Sequence, residues 1–120
     1  MTTVVLPLPP ISLKTNRTQG AHWGSYHKAK VAYQDKCREA LQAYHWTDDN
    51  EKYPVHLYIT AYVGYRQQLP DLTDLGTWVK AGVDAMVTFG VFVDDDPAHL
   101  SPVTLDAKRD RVNPRIEVAW

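Results

Sequence analysis

Five aspartates and a lysine in the second half of the chain have the types and spacing to do chemistry: Asp71, Asp74, Asp94, Asp95, Asp96 and Lys80. A hard divalent cation such as Mg2+ takes oxygen ligands and retains several waters, so two or three carboxylates converging from different elements suffice to hold it. The cation would activate a water and neutralise charge on a phosphate under attack. The Lys80 ammonium would stabilise the same developing charge or the leaving oxygen. Each part also has a plain structural explanation. Asp71 and Asp74 stand three residues apart at the start of a helical pattern, close to a capping box, where both favour the positive helix end without any substrate. Lys80 can pair with Asp84 one turn on. Three successive aspartates after an apolar run are harder to explain away, because packing like charges at a strand end is costly unless water or a cation relieves it.

Other chemistries have weaker support. His22, His27, His45, His56 and His99 show no metal-box spacing. His56 is expected as a packed side chain of a central strand, and His99 lies near enough to the aspartates to support them. No serine-centred elbow and no phosphate-cradling glycine loop occurs, which argues against covalent hydrolysis and nucleoside triphosphate chemistry. Lys14, Arg17, Lys28, Lys30 and Arg66 are the natural phosphate contacts, and Asn16 and Trp23 add hydrogen bonding and stacking. Solubility equally explains the cations, and a core position equally explains Trp23.

At 120 residues, 44% apolar and 22% charged, the chain has the size and composition of one globular domain over residues 1 to 120. The net charge of −1 argues mildly against nucleic acid, but its distribution matters more. Residues 1 to 44 hold six Lys or Arg against two acids, residues 45 to 100 hold three against nine, and residues 101 to 120 hold four against three. A basic face beside an acidic pocket is one pattern that gives these counts, and a nuclease needs both. The lone Cys37 can form no internal disulfide. Without a signal-peptide pattern or a long apolar run, the expected place is the cytoplasm, with no membrane association.

The elements that must position these residues follow from periodicity. Val4 to Leu8 reads as a strand interrupted by prolines, and Ser12 to Gly24 as a polar loop. From Ser25, the residues Tyr26, Ala29, Tyr33, Cys37, Ala40, Leu41 and Tyr44 recur at helical spacing. Thr47 to Lys52 reads as an acidic turn, and Val55 to Val63 alternates as the longest strand. A second helix starts between Pro70 and Asp74 and ends at Gly90, with Leu75, Trp78, Val79, Val83, Met86 and Val87 as its apolar stripe. Asp74, Thr77, Lys80 and Asp84 then face the other way. Val103 to Leu105 and Arg115 to Val118 supply two more strands, joined by a charged turn from Asp106 to Asn113. The order predicts an α+β domain, two main helices packed on a small mixed sheet.

Several segments together carry a family resemblance. They are the opening Leu6-Pro7-Leu8-Pro9-Pro10, the Asn16-Arg17 loop followed by Trp23 and a helix, Lys80-Ala81-Gly82-Val83-Asp84-Ala85-Met86, and Gly90-Val91-Phe92-Val93-Asp94-Asp95-Asp96-Pro97-Ala98-His99-Leu100. Over nearly the whole chain the sequence resembles the RusA family of Holliday junction resolvases, in particular its short phage-encoded members. The resemblance implies a dimeric, Mg2+-dependent endonuclease, with Mn2+ as an acceptable substitute, that cuts paired strands of four-way DNA junctions in recombination and repair. It also implies the cytoplasm of a bacterium or a phage-infected host. Lys80 corresponds to the family's catalytic lysine, and Asp95 to the second residue of its Asp-Asp pair. The family's Asp-x-Asp-Asn-Leu motif is met imperfectly: Asp71-Leu72-Thr73-Asp74-Leu75 keeps the first aspartate and the leucine, with Thr73 at the second aspartate. A competing register puts Asp74 at the first aspartate and Gly76 at the second. The expected metal and catalytic set is therefore Asp71, Asp74 and Asp95, with Lys80. The alternatives are a junction-binding protein with weakened or lost cleavage and a nuclease directed at flaps or forks.

Overall fold

A computed structural model describes residues 2–10, 23–44, 52–64 and 68–120. The elements are β1 (Thr3–Leu6), α1 (Trp23–Leu41), β2 (Val55–Val63), α2 (Leu72–Phe89), β3 (Leu100–Arg109) and β4 (Arg115–Ala119). The strands form one mixed sheet in the order β1-β4-β2-β3. β4 runs antiparallel to both β1 and β2, whereas β2 and β3 are parallel. Parallel neighbours need a crossover connection, and α2 is that crossover. The expected α+β domain with two helices on a small mixed sheet is what the chain forms. Among the described residues no helix is long and apolar enough to cross a membrane.

The alternation of β2 decides where the core lies. Val55, Leu57, Ile59, Ala61 and Val63 are buried on one face, and His56, Tyr58, Thr60 and Tyr62 point to the other, more open face. Val4 and Leu6 of β1 and Ile116 and Val118 of β4 extend the buried face. Against it pack Tyr33, Cys37 and Leu41 of α1 and Leu75, Trp78, Val79, Ala81, Ala85 and Met86 of α2. The Tyr33 hydroxyl is satisfied inside this layer by donating to the Pro7 carbonyl at 2.7 Å. Close approach is explicit at Gly82, where a Cβ would come within 3.1 Å of Leu6 Cδ1.

Three elements differ from the sequence expectation by more than one residue. β1 stops at Leu6 rather than Leu8, because Pro7 has no N–H for a further ladder bond. α1 runs from Trp23 to Leu41 rather than from Ser25 to Tyr44. Tyr44 lies just past the helix, where its N–H still donates to the Leu41 carbonyl and its hydroxyl accepts from the Val5 N–H. β3 is the largest difference, reaching Arg109 where a turn from Asp106 was expected. Its charged residues mislead because Thr104, Asp106 and Lys108 pair with Tyr58, Thr60 and Tyr62 and therefore share the open face of an edge strand. The turn is confined to the segment after Arg109. There Asp110 accepts from the Val112 and Asn113 N–H groups and from the Arg115 guanidinium, which holds its carboxyl below the ordinary carboxylate range.

His56 is a packed side chain of the inner strand β2, on the open face rather than in the core. It is half-buried on the open face, stacked on Tyr58 with centroids 4.0 Å apart, and its Nε2 lies 2.8 Å from Thr104 Oγ1. At the other end of the same face, Arg115 lies over the Tyr62 ring at 4.0 Å and bonds Asp110 and Glu117.

Burial pushes the Cys37 thiol up to about 11. At neutral pH it is therefore expected to resist iodoacetamide in the folded protein and to react completely in guanidinium chloride, as mass spectrometry would read. Rapid alkylation of the native protein would contradict this packing.

Candidate active site

The start of α2 commits part of the acidic set to helix architecture. Asp71 is the N-cap, with φ −75° and ψ 174°, and its Oδ1 accepts from the Asp74 N–H at 2.8 Å. This satisfies one of the orphan donors of the first turn. Asp74 itself is exposed, and its carboxylate makes no hydrogen bond or ion pair with the described residues. Two turns further on, Lys80 projects from the exposed side of the helix, with Nζ 3.9 Å from Asp84 Oδ2. Asp84 is also held by Lys30 of α1 at 3.5 Å, so this carboxylate ties the two helices together. At these partial exposures the pairs add little stability, and Lys80, with 68% of its side chain exposed, is free to exchange partners.

The opposite end of α2 aims the second acidic segment. Gly90 adopts φ 96°, and its N–H bonds the Val87 carbonyl while the Val91 N–H returns to Met86. This is a Schellman closure, which requires the left-handed residue that glycine supplies most cheaply. The turn sends Val91 and Phe92 into the core, where Phe92 meets the Trp120 ring edge-on at 4.8 Å. Val93 is back at the surface, anchored by its N–H to the Tyr53 hydroxyl at 3.1 Å.

The three aspartates that follow have different occupations. Asp94 Oδ1 accepts from the Asp95 N–H at 2.8 Å. The Asp96 carboxylate engages His99 Nδ1, and its carbonyl accepts from the His99 and Leu100 N–H groups. Tyr53 closes this turn by packing edge-on against the His99 ring at 4.8 Å. Asp94 and Asp96 thus shape the loop. Asp95 is exposed, and its carboxylate has no partner among the described residues.

Lys80 and Asp95 meet at a cavity of about 230 Å3 between α2 and the β3 edge of the sheet. Leu57 and Ile59 of β2, Val79 and Val83 of α2, and Leu100, Val103 and Leu105 of β3 make it apolar, with Gly76 completing the helix side. Asp71 and Asp74 lie outside this lining. Among the described residues no group of three or more His, Cys, Asp or Glu is close enough to hold a metal ion. The structure therefore brings Lys80 and Asp95 to one cavity but does not assemble Asp71, Asp74 and Asp95 into one cluster among the described residues. A larger depression, about 310 Å3, lies in the groove between the helices, lined by residues such as Val31, Arg38 and Phe89, and contains none of the candidate residues.

Of the proposed phosphate contacts, Lys28 is exposed on α1 and Lys30 is half-buried against Asp84. Lys14, Asn16, Arg17 and Arg66 lie outside the described residues, as do His22 and His45. The residues that sequence reasoning missed are the cavity walls and Gly76. A glycine inside a helical pattern was the one available signal. No protein-family model and no curated protein matches this chain.

Capping and any further role of Asp71 are separable. Asparagine caps as well as aspartate, so Asp71→Asn should leave Tm unchanged, whereas Asp71→Ala should cost about 1 kcal/mol in urea unfolding. Gly90→Ala should cost about 1–2 kcal/mol in the same measurement, because alanine pays for the left-handed backbone.

Proposed function

We propose that the chain is a divalent-metal-dependent endonuclease acting on branched DNA, with four-way junctions as its substrate class and recombination or repair as its setting. The observation that carries this reading is the pairing at one cavity of an exposed lysine and an uncommitted aspartate from separate elements, Lys80 and Asp95. These are the two positions at which the RusA-like resemblance is most specific. Mg2+ commonly takes only one or two carboxylates and fills its shell with water and substrate phosphate, so the donor chemistry of Asp95 at the cavity edge suits it, while Asp74, the other uncommitted carboxylate, stands outside that cavity. Asp71, the helix cap, is the third carboxylate of the set that the resemblance implies. When bound, the cation would supply Lewis-acid charge and a water of lowered pKa for in-line attack at phosphorus. Lys80 would stabilise charge developing on the phosphate or on the leaving oxygen. A two-fold dimer would set two such sites on opposing strands. The expected place of action is the cytoplasm of a bacterium or phage-infected host.

A second reading, a junction-binding protein without cleavage, is favoured by two observations. Thr73 stands where one register of the family motif has an aspartate, and Asp71 is engaged in a helix cap.

Incubating the purified protein with labelled four-way, forked and linear duplex DNA, with Mg2+ or a chelator, separates these readings. Nicking of the four-way substrate in Mg2+ alone is the expected result, and preference for the fork would redirect the substrate class. Junction binding without nicking would leave the second reading. Where cutting occurs, Asp95→Asn should reduce it on the order of 100-fold, the scale of losing one transition-state electrostatic group, with junction binding retained. Undiminished cutting would remove Asp95 from the site.

A further inference from the structure

β3 is the strand whose inner face the helices leave most open. All five inward residues of β2 are buried, whereas on β3 Val103 is 45% exposed and Leu105 is half-buried. The resulting cavity is apolar on its walls and ionic at its edge, where Lys80 and Asp95 stand. The α2 side of the opening has an unexplained glycine. A Cβ on Gly76 would meet no heavy atom within 4 Å, in contrast to Gly82, where Leu6 is within 3.1 Å. Nor does the backbone require glycine there, since among the described residues positive φ occurs only at Gly90. Glycine in a helix interior weakens it relative to alanine. Neither packing nor conformation repays that cost at position 76. What the missing side chain does is leave the cavity open.

We infer that this cavity receives one unstacked nucleobase of the bound DNA, with its adjoining phosphate at Lys80, and that Gly76 keeps the entrance clear. The inference rests on the reading of the chain as a protein of branched DNA. Three properties favour this occupant. The volume, about 230 Å3, falls below the roughly 300–1,000 Å3 of pockets for drug-sized ligands, and so suits a single ring system. Its walls offer apolar contact and few hydrogen-bond partners, which accommodates the face of any base and predicts weak sequence preference. The rim ammonium matches the anion that every nucleotide carries, and its one ion pair among the described residues, 3.9 Å from Asp84, is long enough to exchange for a phosphate. A branch point also supplies the base cheaply, because a nucleotide at a strand exchange has already lost part of its pairing or stacking.

The test uses the full chain with labelled methyl groups, titrated in chelator with tetrathymidylate and with an abasic tetramer carrying the same phosphates. Methyl signals of Val79, Val103 and Leu105 should shift with tetrathymidylate and stay in place with the abasic strand. Gly76→Met, which fills the opening with a better helix former, should retain the Tm of the parent and bind tetrathymidylate about tenfold more weakly, the scale of one lost base contact. Equal shifts with both strands, no shift with tetrathymidylate, or unchanged affinity in Gly76→Met would each overturn the base pocket. The nuclease reading fails separately. A protein that cuts four-way junctions without base-dependent shifts keeps its activity and loses the pocket, whereas base-dependent shifts in a protein indifferent to junctions retain the pocket and remove the resolvase.

Discussion

The parallel pairing of β2 with β3 is the constraint on which the rest of this structure depends. A parallel neighbour cannot follow through a tight turn, so the chain must leave β2, cross the sheet as α2 and return. That crossover brings the lysine of the helix and the aspartate of the following loop to the same edge of the sheet. β4 then takes the other side of β2, and the one-sided burial of β2 directs both helices to a single face. β3 is left as an edge strand, incompletely covered, and the cavity between it and α2 is a direct consequence.

Within that frame the acidic residues divide by occupation. Asp71 closes the helix start, Asp94 and Asp96 hold the turn before β3, and Asp84 ties Lys30 and Lys80 together. Each charge has local company that reduces the cost of gathering carboxylates in one region. Asp74 and Asp95 remain without partners among the described residues, and of these Asp95 faces the cavity that Lys80 shares. The candidate site is therefore a small ionic edge on an apolar cleft rather than a ring of five carboxylates. This arrangement suits a ligand that is itself apolar at one end and anionic at the other.

The open face of the sheet follows a different logic. His56 stacks on Tyr58, and Arg115 covers Tyr62 while bonding Asp110 and Glu117. Side chains that spend their hydrogen-bonding capacity on one another need little from a partner, so this surface is stabilised as it stands. The charged residues of β3 belong to the same surface, which is why their polarity is compatible with a strand.

By itself the sequence determined the elements whose hydrophobic period is long and unbroken. Val55 to Val63 alternates cleanly, α2 carries its stripe from Leu75 to Val87, and Gly90 marks the end of that helix because few other residues adopt the left-handed turn. Lys80 and Asp95 were legible as candidates because residue type and order along the chain are sequence properties. The extent of β3 was not, since an edge strand with one open face carries the polar composition of a turn until its neighbour is known. Nor were the separate occupations of Asp94, Asp95 and Asp96, identical in type and adjacent in sequence. Only the tertiary structure distinguishes them: Asp96 takes the nearby His99, whereas Tyr53 and the cavity walls of β2 and α2 reach that loop through long-range packing. Gly76 shows the same limit: its glycine is plain in the sequence, and the empty space beside it exists only once α2 lies against the sheet.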